Sequence, residues 1–179
     1  MNCIRILKIL ILFFLFFNFK FLYANEKIVY LDMNRIMTNS LVAKSVAAQL
    51  NKYNKDNSTK FKKVVEDLKS KEKKLIAQKN IMDELEFKKE YEKIKLGYSN
   101  YNKSIDNFKI DLNNKNIKSR AKVLEQLTPI LSNYAKTNST SLILNKKDVI
   151  IGKSSLDITD IVLKELDQKI KKIKLESIK

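Results

Sequence analysis

Two residue types on which many enzymes rely for catalysis, His and Cys, are scarce in this chain. It contains no His, the side chain that most readily exchanges a proton near neutral pH, and its single Cys is Cys3. Gly97 and Gly152 are isolated, so no glycine-rich loop is available to bind a phosphate group. The acidic pairs Glu66–Asp67 and Asp83–Glu84 have Lys neighbours, and solvated ion pairs explain them better than acid–base catalysis. We therefore expect no enzymatic activity, no metal site and no cofactor.

The chemistry that remains is weak binding. The net charge is +16, and residues 41–131 account for +9 of it. A surface of this kind attracts acidic chains, and an anionic membrane surface is a further partner of the same class. The alternative is that a Lys-rich composition merely keeps the surface solvated. The candidate binding residues lie off the predicted buried row of this region: Lys62, Lys63, Val65, Lys73, Lys74, Ile76, Ile81, Leu85, Lys95, Leu96 and Ile110.

Apolar residues between 42 and 131 follow alternating steps of three and four. This spacing predicts two long helices that fold back on each other and bury one narrow row of side chains each. At about 40 residues and about 1.5 Å per residue, each arm would reach roughly 60 Å. In the first arm the predicted buried row is Val46, Leu50, Tyr53, Phe61, Val64, Leu68 and Leu75. In the second arm it is Phe87, Tyr91, Ile94, Tyr98, Tyr101, Ile105, Phe108 and Leu112, and then Ile117, Ala121, Leu124 and Leu127.

Capping and helix-breaking residues mark the ends of these helices. Asn39 or Ser40 can cap the first helix, and Asp83 followed by Glu86 has the spacing of a capping box. We therefore place the tip of the hairpin at residues 79–83. Gly97 is either a weak point or a place where an opposing aromatic ring needs room. Pro129 either bends the second arm or, with Thr128 as a cap, begins a new helix.

The flanking segments predict a small body. We expect one strand at Lys27–Met33 and a hairpin of two strands at Ser141–Leu144 and Val149–Ile151. A last helix, capped by Asp157 or Thr159, would bury the stripe Ile158, Ile161, Val162, Leu166 and Ile170. Three short strands and one helix make a thin core, so the strands should continue into neighbouring subunits. The residues expected to form that shared body are Ile28, Val29, Leu31, Leu142, Ile143, Leu144, Val149 and Ile151.

The fold class is therefore mainly α with a small β body (α+β), in which a long antiparallel helical hairpin projects from a strand-built body that is shared between subunits. The body comprises residues 25–40 and 132–179, and the arm comprises residues 41–131. Residues 1–24 have the pattern of a secretory signal: Arg5 and Lys8, an apolar run, and Ala24 before the expected cut. The alternative is an uncleaved anchor. Cleavage would remove Cys3.

Two places in the sequence carry a resemblance to a known family. The first is the opening Ile28–Met37, and the second comprises Leu142–Asn145, Val149–Ile151 and Leu156–Val162, within which Asp157-Ile158-Thr159 is the most specific motif. On these segments the chain resembles the Skp/OmpH family of periplasmic chaperones. The resemblance implies a homotrimer whose body is a β-barrel with strands from three subunits. It also implies three arms around a cavity that holds unfolded outer-membrane proteins on their way to insertion, with no nucleotide.

We accordingly expect an ATP-independent periplasmic holdase that binds unfolded outer-membrane proteins. A basic, histone-like nucleic-acid-binding protein is one alternative, but the signal sequence and the presence of only three Arg argue against it, so no specific nucleic acid is expected. A structural coiled-coil protein of the envelope is another alternative, which the strand-and-helix body does not favour. Pro129 and the high Lys and Asn content depart from the family pattern, and they bear on arm angle and client preference.

Overall fold

The computed structural model describes residues 26–175. The helices and strands, in chain order, are β1 (Lys27–Leu31), α1 (Met33–Asn39), α2 (Leu41–Ala77), α3 (Glu84–Thr137), β2 (Thr140–Asn145), 3₁₀ turns at Lys146–Asp148 and Ser154–Leu156, and α4 (Thr159–Lys169). With 37 and 54 residues, α2 and α3 reach about 55 Å and about 80 Å at roughly 1.5 Å per residue. They form the predicted hairpin. The predicted signal sequence lies outside the described residues.

Both ends of the hairpin are capped by the side chains that the sequence indicates. Ser40 precedes α2, and its Oγ accepts a hydrogen bond from the backbone N–H of Ala43 at 3.3 Å. Asp83 precedes α3, and its Oδ1 accepts from the N–H groups of Leu85 at 2.9 Å and Glu86 at 3.3 Å. These bonds satisfy donors that would otherwise lack a partner in the first helical turn. The prediction of a tip at residues 79–83 is confirmed to within a residue, because α2 ends at Ala77 and α3 begins at Glu84.

The sheet has two parallel strands, and the helical hairpin is the connection between them. In the register, Ile28 lies opposite Leu142 and Leu31 opposite Asn145. The predicted third strand at Val149–Ile151 is wrong: these residues follow a 3₁₀ turn and form no strand. The reason is that β-branched residues favour extended backbone but need a neighbouring strand, and among residues 26–175 no strand lies beside this segment.

The Asp157-Ile158-Thr159 motif joins the sheet to α4. The N–H of Ile158 donates to the carbonyl of Tyr30 at 2.9 Å, and Thr159 Oγ1 accepts from the N–H of Asp32 at 2.8 Å. The Thr159 hydroxyl in turn donates to the Asp157 carboxylate, which also forms an ion pair with Lys146 at 2.7 Å. Burial alone would raise the pKa of Asp157, but the hydrogen bonds from Lys146 and Thr159 outweigh burial and lower it. The same ion pair raises the pKa of Lys146.

The core lies where β1, α1 and α4 meet the base of the hairpin. Its buried members are Val29, Leu31, Ile36, Val42, Val123, Leu127, Ile130, Ile158, Val162 and Leu166. Full burial of a side chain of this size stabilises the fold by about 1.5–3 kcal/mol. The prediction that Ile161 is buried is wrong, since 53% of it is exposed. The buried face of α4 passes through Thr159, Val162 and Leu166, and Ile161 lies about 100° away from Val162 on the helix.

At the base of the second arm, α3 buries a row that differs from the predicted one except at Leu127, which is buried as predicted. Ser119 and Val123 are buried with it, whereas Ile117 and Leu124 are 57% and 42% exposed and Ala121 is also exposed. Here α3 packs on the body as well as on α2, so the buried face changes direction. The new row begins with Ser119, whose hydroxyl donates to the carbonyl of Lys115 at 2.6 Å. A count of apolar residues cannot register a serine.

Smaller shifts occur further along the arms. Val64 is 46% exposed and Val65 is half-buried, so the predicted roles of these two residues are reversed. Val65 was expected off the buried row with the binding candidates, and that placement is wrong. Tyr91 is also 48% exposed. Such neighbours are hard to separate because a step of three or four is compatible with either residue at each turn.

For Gly97 and for Pro129, the sequence left two interpretations open, and the structure decides between them. A Cβ added at Gly97 would lie 2.6 Å from Cδ2 of Leu68, so the glycine makes room for an opposing side chain, although an aliphatic one. Pro129 lies inside α3, which continues to Thr137. Thr128 does not cap a new helix, because its hydroxyl donates to the carbonyl of Leu124 at 2.9 Å. Pro129 has no N–H, so one carbonyl in the preceding turn lacks its helical partner.

Candidate functional site: the helical arm

Inside the hairpin, a row of aromatic rings joins the two helices. The ring centroid of Phe61 lies 5.5 Å from that of Phe108 and 6.2 Å from that of Tyr101, and Tyr53 lies 5.6 Å from Phe108. Tilted and edge-to-face pairs of this kind contribute about 0.5–1.5 kcal/mol beyond the area that they bury. Phe61 therefore packs within the arm, as its place in the predicted buried row indicates.

Two tyrosines add polar links between the helices. The hydroxyl of Tyr53 donates to Asp111 Oδ2 at 2.8 Å, and that of Tyr98 donates to Glu72 Oε2 at 2.9 Å. The hydrogen bond to the carboxylate, together with burial, raises the pKa of each tyrosine. Both hydroxyls therefore stay protonated at neutral pH and remain donors. These links fix the register of the two helices and leave their outer faces free to bind.

The outer faces of the arm expose large apolar side chains among lysines. The exposed fraction is 86% for Ile81 and 78% for Leu85, and it is 61% for each of Ile76, Leu96 and Ile110. All five were among the predicted binding residues. Single exposed aliphatic side chains are common on any protein, whereas clustered ones often mark a contact surface, so residues that lie together are the stronger candidates.

The predicted binding lysines are all exposed. Lys62 and Lys95 form ion pairs with a neighbour on their own helix, at 3.9 Å and 3.6 Å. Within residues 26–175, Lys63, Lys73 and Lys74 form no such pair. Exposed pairs contribute only about 0–1 kcal/mol, so even the paired lysines can turn to an incoming carboxylate at little cost.

The candidate residues do not converge on one pocket. Ile76, Ile81 and Leu85 are gathered at the tip of the hairpin by the short connection between α2 and α3. Leu96 and Ile110 lie further down α3, and 14 residues of helix place them about 20 Å apart. Among the described residues, no group of His, Cys, Asp and Glu could hold a metal ion. The described helices also include none that is long and apolar enough to span a bilayer. The arrangement suits many weak contacts along an extended chain.

A groove that the sequence did not predict lies beside Gly97. It has a volume of about 480 Å³ and an apolar floor with lysines at its edge, and it is lined by Leu68, Lys71, Lys74, Leu75, Gln78, Met82, Glu90, Lys93, Ile94 and Gly97. The sequence signal was Gly97 itself, because a helix interior without a Cβ leaves space on one side. Of the predicted binding residues, Lys74 lines this groove.

The predicted body residues divide into two groups. Val29 and Leu31 are buried in the core of the subunit, and Ile143 packs against that core. Val149 is half-buried. Four others are on the surface: Ile28, Leu142, Leu144 and Ile151 are exposed by 46%, 48%, 37% and 92%. The body therefore carries a second exposed apolar surface, well separated in sequence from the arm tip.

Comparison with known proteins identifies this architecture. The family model of OmpH-like outer membrane proteins matches residues 27–166, which include the strands, the whole hairpin and most of α4. The protein belongs to the OmpH-like family. This is a family of periplasmic chaperones and not of enzymes.

A solved structure shows the same fold. It is that of a proposed outer membrane chaperone (OmpH-like) from Caulobacter crescentus CB15. The two chains superpose with a TM-score of 0.80 at 19% sequence identity, and the match covers 83% of this OmpH-like chain and 88% of the other. No curated protein sequence matches the chain.

Proposed function

We propose that this OmpH-like protein is an ATP-independent holdase of the periplasm, which binds unfolded outer-membrane proteins between the arms of a homotrimer and delivers them for membrane insertion. The observation that carries the proposal is the pairing of a stiff hairpin with the five exposed aliphatic residues of the arm. A holdase requires contacts that are individually weak, since a single strong site would retain its client. Each aliphatic side chain that a client covers contributes at most about 1.5–3 kcal/mol.

Charge supports the same client class. The lysines of the arm attract the acidic segments of an unfolded chain, while the aliphatic residues contact its apolar segments. Strands of a β-barrel membrane protein alternate apolar and polar residues, so an unfolded one offers both kinds of contact along its length. The same basic surface would attract the arm to an anionic membrane during delivery.

The proposal of a trimer rests on the body. In the sheet of β1 and β2, the outer edge of β2 has no strand beside it within residues 26–175. Beside this sheet, Ile150 and Ile151 are 99% and 92% exposed. An open strand edge and fully exposed aliphatic residues are unfavourable in a monomer, and both would be covered if neighbouring copies completed the sheet. The mature protein is expected to begin after the predicted signal sequence.

An aggregation assay tests the holdase function. A β-barrel membrane protein is diluted out of urea without ATP, and light scattering is followed with and without the chaperone at low micromolar concentration. The protein should suppress scattering, and a variant in which Ile76, Ile81, Leu85 and Leu96 are replaced by Ser should lose most of that protection. The matched control is Ile161→Ser, which removes an exposed isoleucine from the body instead of the arm. Absence of protection by the unaltered protein, together with salt-sensitive DNA binding, would favour the nucleic-acid alternative.

A native mass measurement tests the assembly separately. We expect the mass of three subunits, and Ile151→Asp should shift it to one subunit because a buried, unpaired carboxylate is costly at an apolar interface. A single-subunit mass for the unaltered protein in dilute solution would contradict the trimer.

A further inference from the structure

The last described residues of the chain fold back onto the arm. The match to the family model ends at residue 166, and α4 ends at Lys169, but the described chain continues to Leu175. Ile170 and Ile173 pack against the core, and Leu175 is only 8% exposed. This lysine-rich segment covers two isoleucines in part and a leucine almost completely, so it has a defined place on the protein. We call residues 170–175 the tail.

One side chain of α2 holds the backbone of the tail. Nε2 of Gln49 donates to the carbonyl of Ile173 at 2.7 Å, and Oε1 of the same amide accepts from the N–H of Leu175 at 3.0 Å. The amide thus pairs with an acceptor and a donor on either side of one residue, as a neighbouring strand would. Gln49 is itself oriented by Ser45, whose carbonyl and hydroxyl both accept from Nε2, at 3.2 Å and 3.3 Å.

The tail reaches the part of the arm where the aromatic row begins. Leu175 lines a groove of about 300 Å³ together with Tyr53 of α2 and Lys115 of α3. The ammonium of Lys115 lies 5.5 Å from the ring centroid of Tyr53, so this cation–π contact joins the two helices at the same level. The tail therefore touches the hairpin where both helices have left the body.

A second contact anchors the same terminal segment to the start of α2. Asp167 Oδ1, one turn before the tail, accepts from the N–H of Leu41 at 2.7 Å. A carboxylate at this position is also favoured by the positive end of the helix dipole. Leu41 and Gln49 are eight residues apart, which is about 12 Å along a helix. One contact would leave α2 free to pivot, whereas two contacts at this separation fix its direction.

Another face of α2 has room for movement. A groove of about 150 Å³, open to solvent, lies between the base of α2 and α3, and several of the residues around it are small, among them Ala43, Ala47 and Ser119. Small side chains at a helix contact interlock little, so on this face they offer limited resistance to a shift of α2 against α3. Contacts elsewhere on α2 therefore matter for its direction.

We propose that the tail is a brace that limits tilting of the arm relative to the body. In a chaperone whose arms enclose a client, such a brace would set how far the arms open. The inference concerns the arm of the protein without client. It can therefore fail while the proposed holdase function stands, and the holdase function can fail while the brace stands.

The experiment measures the spread of arm positions. Cys3 is the only cysteine of the sequence, and Cys3→Ser prevents labelling at that position in the full chain. Lys79→Cys at the arm tip and Lys164→Cys on α4 then carry the two spin labels. Labelled subunits are diluted into an excess of unlabelled ones, and pulsed electron paramagnetic resonance gives the tip-to-body distance distribution. A variant that ends at Lys169 should broaden this distribution at least about twofold, and Gln49→Met should broaden it in the same sense.

Gln49→Met keeps the size of the side chain and removes both hydrogen bonds, so it decides the question even if the shortened chain folds poorly. The matched control is Gln168→Met, at an exposed glutamine on α4 that does not bond the tail. Hydrogen exchange at the Leu175 amide should accelerate in Gln49→Met and not in the control. A distribution of unchanged width in Gln49→Met, with Leu175 exchanging faster, would overturn the brace, because the tail would then be released without effect on the arm.

Discussion

Gly97 offers a sharp test of how the arm is packed. A Cβ at this position would lie 2.6 Å from Cδ2 of Leu68, about 1 Å inside ordinary carbon–carbon contact. Leu68 is only 8% exposed, so its Cδ2 can move away only if the side chain changes rotamer toward the adjoining groove. We consider Gly97→Leu, which places four carbons in the space that the glycine leaves open. Overpacking of this kind costs about 1–3 kcal/mol, and the better helix propensity of leucine returns a little under about 1 kcal/mol.

The expected net effect is a loss of about 0–2 kcal/mol in the free energy of local unfolding. Leu68→Ala alone should cost about 2 kcal/mol, near the lower end for a buried leucine because its side chain already borders the groove. In the double variant the clash disappears and the new leucine refills the space. Gly97→Leu should therefore be neutral or stabilising in the Leu68→Ala background, which gives a coupling of about 2 kcal/mol between the two sites.

Hydrogen exchange of arm amides measures these values locally, and protein concentration is held constant because assembly contributes to stability. Ser99→Leu is the matched control: it adds the same side chain to an exposed position of α3 and should change the opening free energy by less than about 0.5 kcal/mol. If Gly97→Leu had the same effect with and without the leucine at 68, the reasoning about close contact would be refuted.

Three further predictions concern the ends and the base of the arm. Asp83→Ala removes the acceptor of two backbone N–H groups and should destabilise the first turn of α3 by about 1 kcal/mol, seen as faster amide exchange at residues 84–86, whereas Asp83→Asn should be nearly neutral. Leu127 is a core residue that is 1% exposed, so Leu127→Ala should lower the free energy of unfolding, measured in urea, by about 2–5 kcal/mol. Leu124 is 42% exposed, and Leu124→Ala should cost less. Equal losses from the two variants would contradict the observed orientation of α3. Because folding lowers the pKa of Asp157, its contribution to stability is present above the ordinary carboxyl pKa and is lost as the pH falls through the lowered value. Below about pH 4, the free energy of unfolding should therefore fall less in Asp157→Asn than in the unaltered protein. If it falls equally in both, this carboxylate does not contribute to the loss of stability in acid.

Local patterns in the sequence determined the long-range shape of this protein. The caps Ser40 and Asp83, the steps of three and four, and the near absence of Gly and Pro were enough to predict two long helices and a tip at residues 79–83. These features act within a few residues of one another, since a cap or a helical face depends on neighbours in the chain. The exposed aliphatic residues at the tip were predicted for the same reason.

Tertiary structure decided which face of each element is buried and which contacts join distant segments. Three differences from the prediction depend on what lies opposite in the fold: the buried row turns toward Ser119, Val149–Ile151 forms no strand, and Ile161 is exposed. A pattern of apolar residues does not specify those neighbours. The two hydrogen bonds between Gln49 and the tail join positions about 125 residues apart, so no local signal could reveal them. Local sequence fixes backbone conformation through short-range sterics and hydrogen bonds, but the partner of a side chain is chosen by packing across the whole fold.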